Sequence, residues 1–305
     1  MRVAVIDIGS NSTRLLIADL GEGRVTDELE RRSVVTRLGT GVDANGQLQD
    51  DAMERVYSTL DEFKEAIERS DPEKKIAILT SAVRDAKNGA KFAQAVAERY
   101  SFEPHVLKGD EEAGLTFLGA TSERDPEERT PTLVIDVGGG STELVVGAGR
   151  EARFHVSTQA GVVRQTERHI HNDPPTEKEQ EELAEDVRAI ISEAVPPQIR
   201  KDVGHAIAVA GTATSLAAIA QRLEPYDPEK VHGYTVTKDE ADRILGELAA
   251  IPLEQRRTTP GLHPDRAPTI VAGVIILREV MELFGCSAIE VSEHDILRGA
   301  ALGLS

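Results

Sequence analysis

VIDIGSNSTRLLI, residues 5–17, is met again as VIDVGGGSTELVV, residues 134–146. The two copies align without a gap at an offset of 136 − 7 = 129. Val, Ile, Asp, Gly, Ser, Thr and Leu recur at matching places. Each copy begins and ends as a buried strand, with an aspartate, a glycine and small polar residues between. One such stretch fits an ordinary hairpin turn whose aspartate accepts local N–H bonds. A second copy at one fixed spacing argues instead for a duplicated architecture, with one phosphate-sized turn in each half.

The chemistry of the turns follows from their residues. Gly9, Ser10, Asn11 and Ser12, and Gly138, Gly139, Gly140, Ser141 and Thr142, let a ligand approach the backbone. Successive amides in a tight turn form an anion-binding concavity, and the hydroxyls add donors. Asp7 and Asp136 end their strands at its edge. A carboxylate there repels phosphate unless it holds a divalent cation or positions water. A dinucleotide-binding loop needs a helix after its glycines, whereas Thr142–Val146 is strand-like. No G-x-x-x-x-G-K-[ST] loop occurs in the chain.

At 305 residues the chain suggests two domains, and 40% apolar residues suffice for real cores. A single cysteine, Cys286, excludes an internal disulfide and fits a reducing compartment. The chain starts directly in a strand pattern, without a signal-peptide profile, and its longest apolar run, Ile270–Leu277, is too short for a membrane span. These features predict a soluble, cytoplasmic protein. A net charge of −18 disfavours broad binding to nucleic acid or anionic membrane. An anionic substrate then needs concentrated cations, backbone amides or a metal ion.

Strands are predicted at 2–8, 14–20, 75–80, 106–107, 132–136 and 206–210. Helical spacing appears at 53–67, 92–100, 177–195, 212–223, 239–250 and 269–284. Residues 122–131 read as a charged surface linker. The alternation predicts an α/β protein. Gly211-Thr212 joins a strand to a helix, a junction that serves as an N-cap or holds an anion. Arg14 and Glu143 occupy equivalent places, two residues beyond the turns. Glu112 begins a helix, where acids complement the dipole. Arg84 follows a strand beside Asp85, its candidate ion-pair partner. Arg164, Arg168, His169, Arg256, Arg257 and Arg266 are candidates to extend a basic path. His169 and His171 lack a zinc spacing.

Two Asp-x-Gly hairpins resemble the superfamily of acetate and sugar kinases, heat-shock chaperone ATPases and actin. Within it, DIGSNSTRLL (7–16), TSAVRDAKN (80–88), GDEEAGLTFLGA (109–120), VIDVGGGSTELVVG (134–147), GVVRQTER (161–168), AGTATSLAA (210–218) and PGLHPDRAPTIVAGVIIL (260–277) resemble the exopolyphosphatase / guanosine pentaphosphate phosphohydrolase family, in the same order. The resemblance covers nearly the whole chain. It implies two actin-like (ribonuclease H-like) α/β domains with an interdomain active-site cleft: domain I over 1–127, domain II over 128–305, with the final helix about 295–305 packing back on the first. It implies a Mg²⁺-dependent exopolyphosphatase, with Mn²⁺ as a substitute, acting on inorganic polyphosphate and favouring shorter chains. The alternatives are a guanosine pentaphosphate phosphohydrolase, a kinase of the same superfamily, and a non-catalytic phosphate or nucleotide sensor. By the resemblance Glu112 is the catalytic base, Asp136 and Glu143 are the metal-side catalytic acids, Arg84 binds phosphate, and Gly211 and Thr212 lie on the nucleotide-side loop. A homodimer is a family expectation.

The sequence departs from the family near its end. Where the family often carries Gly-Leu-Arg-Glu-Gly, this chain has Asp295-Ile296-Leu297-Arg298-Gly299, and no role transfers to Arg298. Across the two hairpins, Arg14 stands where Glu143 stands. The first copy is therefore expected to be the cationic, phosphate-gripping half and the second the metal-holding half.

Overall fold

A computed structural model describes residues 1–125 and 127–304, with the Asp43 side chain left aside. Pro126, within the predicted linker, and Ser305, at the end of the predicted final helix, lie outside the described residues. The chain forms two compact units, one of Met1–Glu123 with His294–Ser305, the other of Arg124–Glu293.

The first unit holds β1 (Arg2–Ile8), β2 (Ser12–Gly21), β3 (Arg24–Val35), β4 (Lys74–Leu79) and β5 (Glu103–Val106), in the order β3-β2-β1-β4-β5. β1 pairs antiparallel with β2 and parallel with β4. It reads as continuous apolar sequence because both faces are covered. Ala4, Ile6 and Ile8 pack against Val56, Leu60 and Phe63 of α1 (Asp50–Ser70) and Phe92 and Val96 of α2 (Gly89–Tyr100). Val3 and Val5 pack on the opposite face with Leu297, Ala300 and Ala301.

The second unit holds β6 (Thr132–Val137), β7 (Thr142–Ala148), β8 (Glu151–Thr158), β9 (His205–Val209), β10 (Thr235–Thr237) and β11 (Ala288–Val291), in the order β10-β11-β9-β6-β7-β8. Read from β8, this order repeats the first sheet: an antiparallel meander, then a parallel neighbour reached by crossover. The repeat extends to register. Asp7 faces Arg14 across the first hairpin, and Asp136 faces Glu143 across the second.

β3, β8, β10 and β11 lie outside the predicted strands. β3, β8 and β10 are edge strands, and β11 is a short interior one. β3 carries Asp27, Glu28, Glu30, Arg31 and Arg32, so its charge masks any strand pattern while protecting the exposed edge. Residues 122–125 and 127–131 contain no helix or strand.

In the first unit, α3 (Gly109–Ala120) crosses the C-terminal α9 (Ile296–Gly303) at glycines. A Cβ on Gly119 would collide with the Asp295 carbonyl, and one on Gly299 with that of Leu115. The close crossing fixes α3, which carries Glu112. The second unit's longer helices are α4 (Val162–His169), α5 (Glu177–Ala194), α6 (Ala210–Gln221), α7 (Lys238–Ala249) and α8 (Ile270–Phe284). Among the described residues no helix is long and apolar enough to cross a membrane.

Candidate active site

Both repeated turns close with one hydrogen bond of the same length. Gly9 N donates to Ser12 O at 3.0 Å, and Gly138 N donates to Ser141 O at 3.0 Å. In each, the turn's carbonyls are tied down from behind. Gly39 N donates to Ser10 O at 2.8 Å, while Thr36 N and Arg37 N both donate to Asn11 O. At the second turn, Val162 N reaches Gly138 O and Val163 N reaches Gly139 O, each at 2.9 Å. Arg164 Nε donates to Gly140 O at 2.9 Å. Among the described residues, no acceptor takes the amides of Gly139 and Gly140. With carbonyls engaged and amides left over, the second turn has the arrangement of an anion-binding nest.

Each backing segment needs a glycine. Gly161 lies so close to the second turn that a Cβ would stand well inside 3.0 Å of Gly139 O, Gly140 C and Ser141 N. Gly39 backs the first turn, where a Cβ would lie 2.8 Å from Ser10 Cβ. Sequence reasoning assigned neither glycine a role; the signal available was the GVV step at 161–163.

The hydroxyls divide. Ser10 Oγ and Ser81 Oγ share a hydrogen bond of 2.8 Å. Thr142 is fully buried and its hydroxyl donates to Ala160 O at 2.6 Å, so it braces the strand end.

Asp136 and Glu143 are directly opposed across β6 and β7, 7% and 2% exposed respectively. Opposed like charges on a hairpin are destabilising, and burial adds a desolvation cost. Glu143 Oε1 accepts from Ser157 Oγ at 2.8 Å, which orients it. Two hard carboxylates beside a phosphate-sized nest fit Mg²⁺, which takes one or two carboxylates plus phosphate oxygens.

The first unit brings Glu112 and Arg84 together. Arg84 Nη1 donates to Glu112 Oε2 at 2.9 Å and to Leu107 O at 3.1 Å. Glu112 is 6% exposed. Arg84 also lies 3.5 Å from Asp85, the partner foreseen from sequence.

Arg14 is engaged more fully than its phosphate-gripping expectation implied. Its Nε donates to Asp7 Oδ2 at 2.8 Å, and its Nη1 contacts Asp295. Asp295 also takes Arg31 Nη2 at 3.0 Å. Burial pushes the Asp7 carboxyl above its ordinary value, against the pull of Arg14. Among the described residues, Asp7 Oδ1 has no hydrogen-bond partner. Burial also acts upward on Asp295, yet Arg14, Arg31 and the Leu297 amide hold it below the ordinary range. The chain of pairs runs on from Arg31 to Glu28 at 3.5 Å, from Glu28 to Arg298 at 2.9 Å and from Arg298 to Glu123 at 2.8 Å. Among the described residues, these pairs join four acids to three arginines, so Arg14 does not stand beside Asp7 alone.

At the strand–helix junction, Ala210 adopts φ 62°, a left-handed conformation at a non-glycine residue. Arg266 lies directly over Gly211, where a Cβ would overlap its guanidinium. Thr212 is buried against Gly273. Arg256 does not extend a basic path: it is buried and donates to the carbonyls of Leu248, Ile251 and Ala267. Arg168 and His169 both engage Asp186, and Arg257 lies 3.8 Å from Glu254.

Comparison with known proteins places these features. The pattern that defines the Ppx/GppA phosphatase family matches residues 16–302. Exopolyphosphatase 2 of Mycobacterium tuberculosis is 36% identical over 320 aligned residues, spanning 100% of this chain and 98% of its own. A solved structure of an exopolyphosphatase-like protein matches with TM-score 0.91 at 33% identity, over 100% of this chain and 98% of the other. An exopolyphosphatase from Cytophaga hutchinsonii matches with TM-score 0.88 at 26% identity, over 100% and 97%.

Proposed function

This chain belongs to the Ppx/GppA phosphatase family and is a hydrolase of phosphoanhydride bonds; we propose that it releases terminal phosphate from inorganic polyphosphate with Mg²⁺ bound by Asp136 and Glu143. The observation that carries this reading is the buried, directly opposed Asp136–Glu143 pair beside a turn whose carbonyls are tied back.

Mg²⁺, or Mn²⁺ in its place, offsets charge on the phosphoryl oxygens when bound. The chain's own residues do the rest. The Gly139 and Gly140 amides hold phosphate oxygens. Ser157 fixes Glu143 in direction. Glu112 accepts the proton of the attacking water, and its bond from Arg84 sets its orientation. Arg84 is assigned to a phosphate oxygen as well as to the base, two acceptors that a planar fork can serve through separate nitrogens. Little covalent chemistry is required, so positioning and electrostatics dominate.

A preference for shorter polyphosphate is part of the same proposal, and comparing tripolyphosphate with long polyphosphate tests it. Family membership alone supports a homodimer, which sizing in solution tests. The deciding experiment is phosphate release from tripolyphosphate, long polyphosphate, guanosine pentaphosphate and ATP, each with Mg²⁺ and with chelator. Turnover of tripolyphosphate abolished by chelator is expected. Turnover of guanosine pentaphosphate alone would move the substrate to the nucleotide. No release from any would sink the reaction.

A further inference from the structure

We propose that Asp295 is a positioning residue: a built-in anion that occupies Arg14 and Arg31 and thereby sets how tightly the first turn takes a phosphate. The proposal rests on the reading that polyphosphate is the substrate and that the first turn, like the second, takes one of its phosphates.

Arg14 belongs to the turn by geometry. It faces Asp7 across the hairpin, and the Asp7 oxygen it holds lies 3.9 Å from where a Cβ on Gly9 would stand. One guanidinium carries one positive charge, and Asp7 already answers it. Asp295 brings a second carboxylate to the same guanidinium from 281 residues away. A carboxylate on an arginine fork makes the contact a phosphate oxygen would make. Asp295 is buried, N-caps α9 by accepting from Leu297 N at 3.1 Å, and is drawn the other way by Arg31 at 3.0 Å. Arg31 in turn is shared with Glu28. Asp295 is thus held between two arginines, and its grip on one depends on the other.

The substitution Asp295→Asn removes the charge and keeps an N-capping oxygen. Arg31→Gln removes the competing cation and leaves Asp295 to Arg14. Binding of tripolyphosphate is measured by calorimetry in Mg²⁺-free buffer, where no turnover is needed, and KM is measured separately with Mg²⁺. Asp295→Asn should bind about tenfold tighter, the scale of one charge-assisted contact, with KM falling in step and the gain shrinking at high salt. Arg31→Gln should bind more weakly, and the double variant should match Asp295→Asn. Equal or weaker binding by a folded Asp295→Asn overturns the proposal, as does an Arg31→Gln loss that persists in the double variant. If Asp295→Asn does not fold, unchanged or tighter binding by Arg31→Gln overturns it. Wild-type protein that binds tripolyphosphate without turning it over would sink the proposed reaction, while this binding test would still decide the role of Asp295.

Discussion

Gly161→Ala is the perturbation that separates the backbone nest from the rest of the molecule. The added methyl would stand well inside 3.0 Å of Gly139 O, Gly140 C and Ser141 N, whereas ordinary contact begins at 3.4 Å. All three are backbone atoms, so no side chain can swing aside. The turn at 139–141 must retreat by about 1 Å to restore contact distances. Such overpacking costs about 1–3 kcal/mol of stability, which lowers Tm by only a few degrees in a chain of roughly this size. The same displacement removes the amides from phosphate, and a misplacement of about 1 Å lowers kcat/KM by roughly 100-fold. The assay is steady-state phosphate release from tripolyphosphate, paired with thermal unfolding to show that the variant is folded. Gly114→Ala is the reference, because a Cβ there meets nothing within 4 Å. It should gain up to about 1 kcal/mol from helix propensity without loss of activity. A folded Gly161→Ala with wild-type kcat/KM would refute the role assigned to the nest.

Glu112→Gln keeps the shape that meets Arg84 but cannot accept a proton, so kcat should fall by roughly 100-fold or more; wild-type kcat would remove Glu112 from the base role. Asp136→Asn halves the acidic pair and should raise the Mg²⁺ concentration needed for half-maximal turnover, which a metal titration checks; an unchanged requirement would remove Asp136 from the metal site. Glu179 accepts from His171 N, Asn172 N and Nδ2, and Thr176 N and Oγ1. Although burial acts upward on it, these bonds bring its carboxyl from 4.5 down to about 2. A folded-state value below the unfolded one gives stability that is present above about pH 4.5 and lost as pH falls towards 2. Glu179→Gln should therefore flatten Tm against pH in that window; an unchanged acid profile would contradict it. Gly119→Val would drive α3 from α9 at a backbone-to-backbone crossing and should lower Tm by several degrees, roughly 3 kcal/mol of overpacking, with activity falling because α3 carries Glu112.

The edge strands show where sequence reasoning stopped. β1 and β6 announce themselves through the apolar runs at 3–6 and 133–135, because both their faces are covered. β3 does not, since an edge strand needs charge where a central strand needs bulk, and Glu28-Leu29-Glu30-Arg31-Arg32 has no period to read. Arg256 shows the same limit in a side chain. Its charge suggested a substrate path, yet three backbone carbonyls, of Leu248, Ile251 and Ala267, satisfy it, and no residue pattern marks a carbonyl as left over.

The sequence by itself determined the repeated hairpins, the α/β alternation and the opposition of Asp7 to Arg14 and of Asp136 to Glu143. All of these depend on spacing along one strand–turn–strand, where register follows from a gapless count. Tertiary structure decided the charge of the first turn. Arg14 looks cationic within its own hairpin, but Asp295 arrives from the far end of the chain, carried by a helix that reaches α3 only because Gly119 and Gly299 let two backbones touch. Electrostatics depends on distance in space, and a pair separated by 281 residues leaves no trace in spacing.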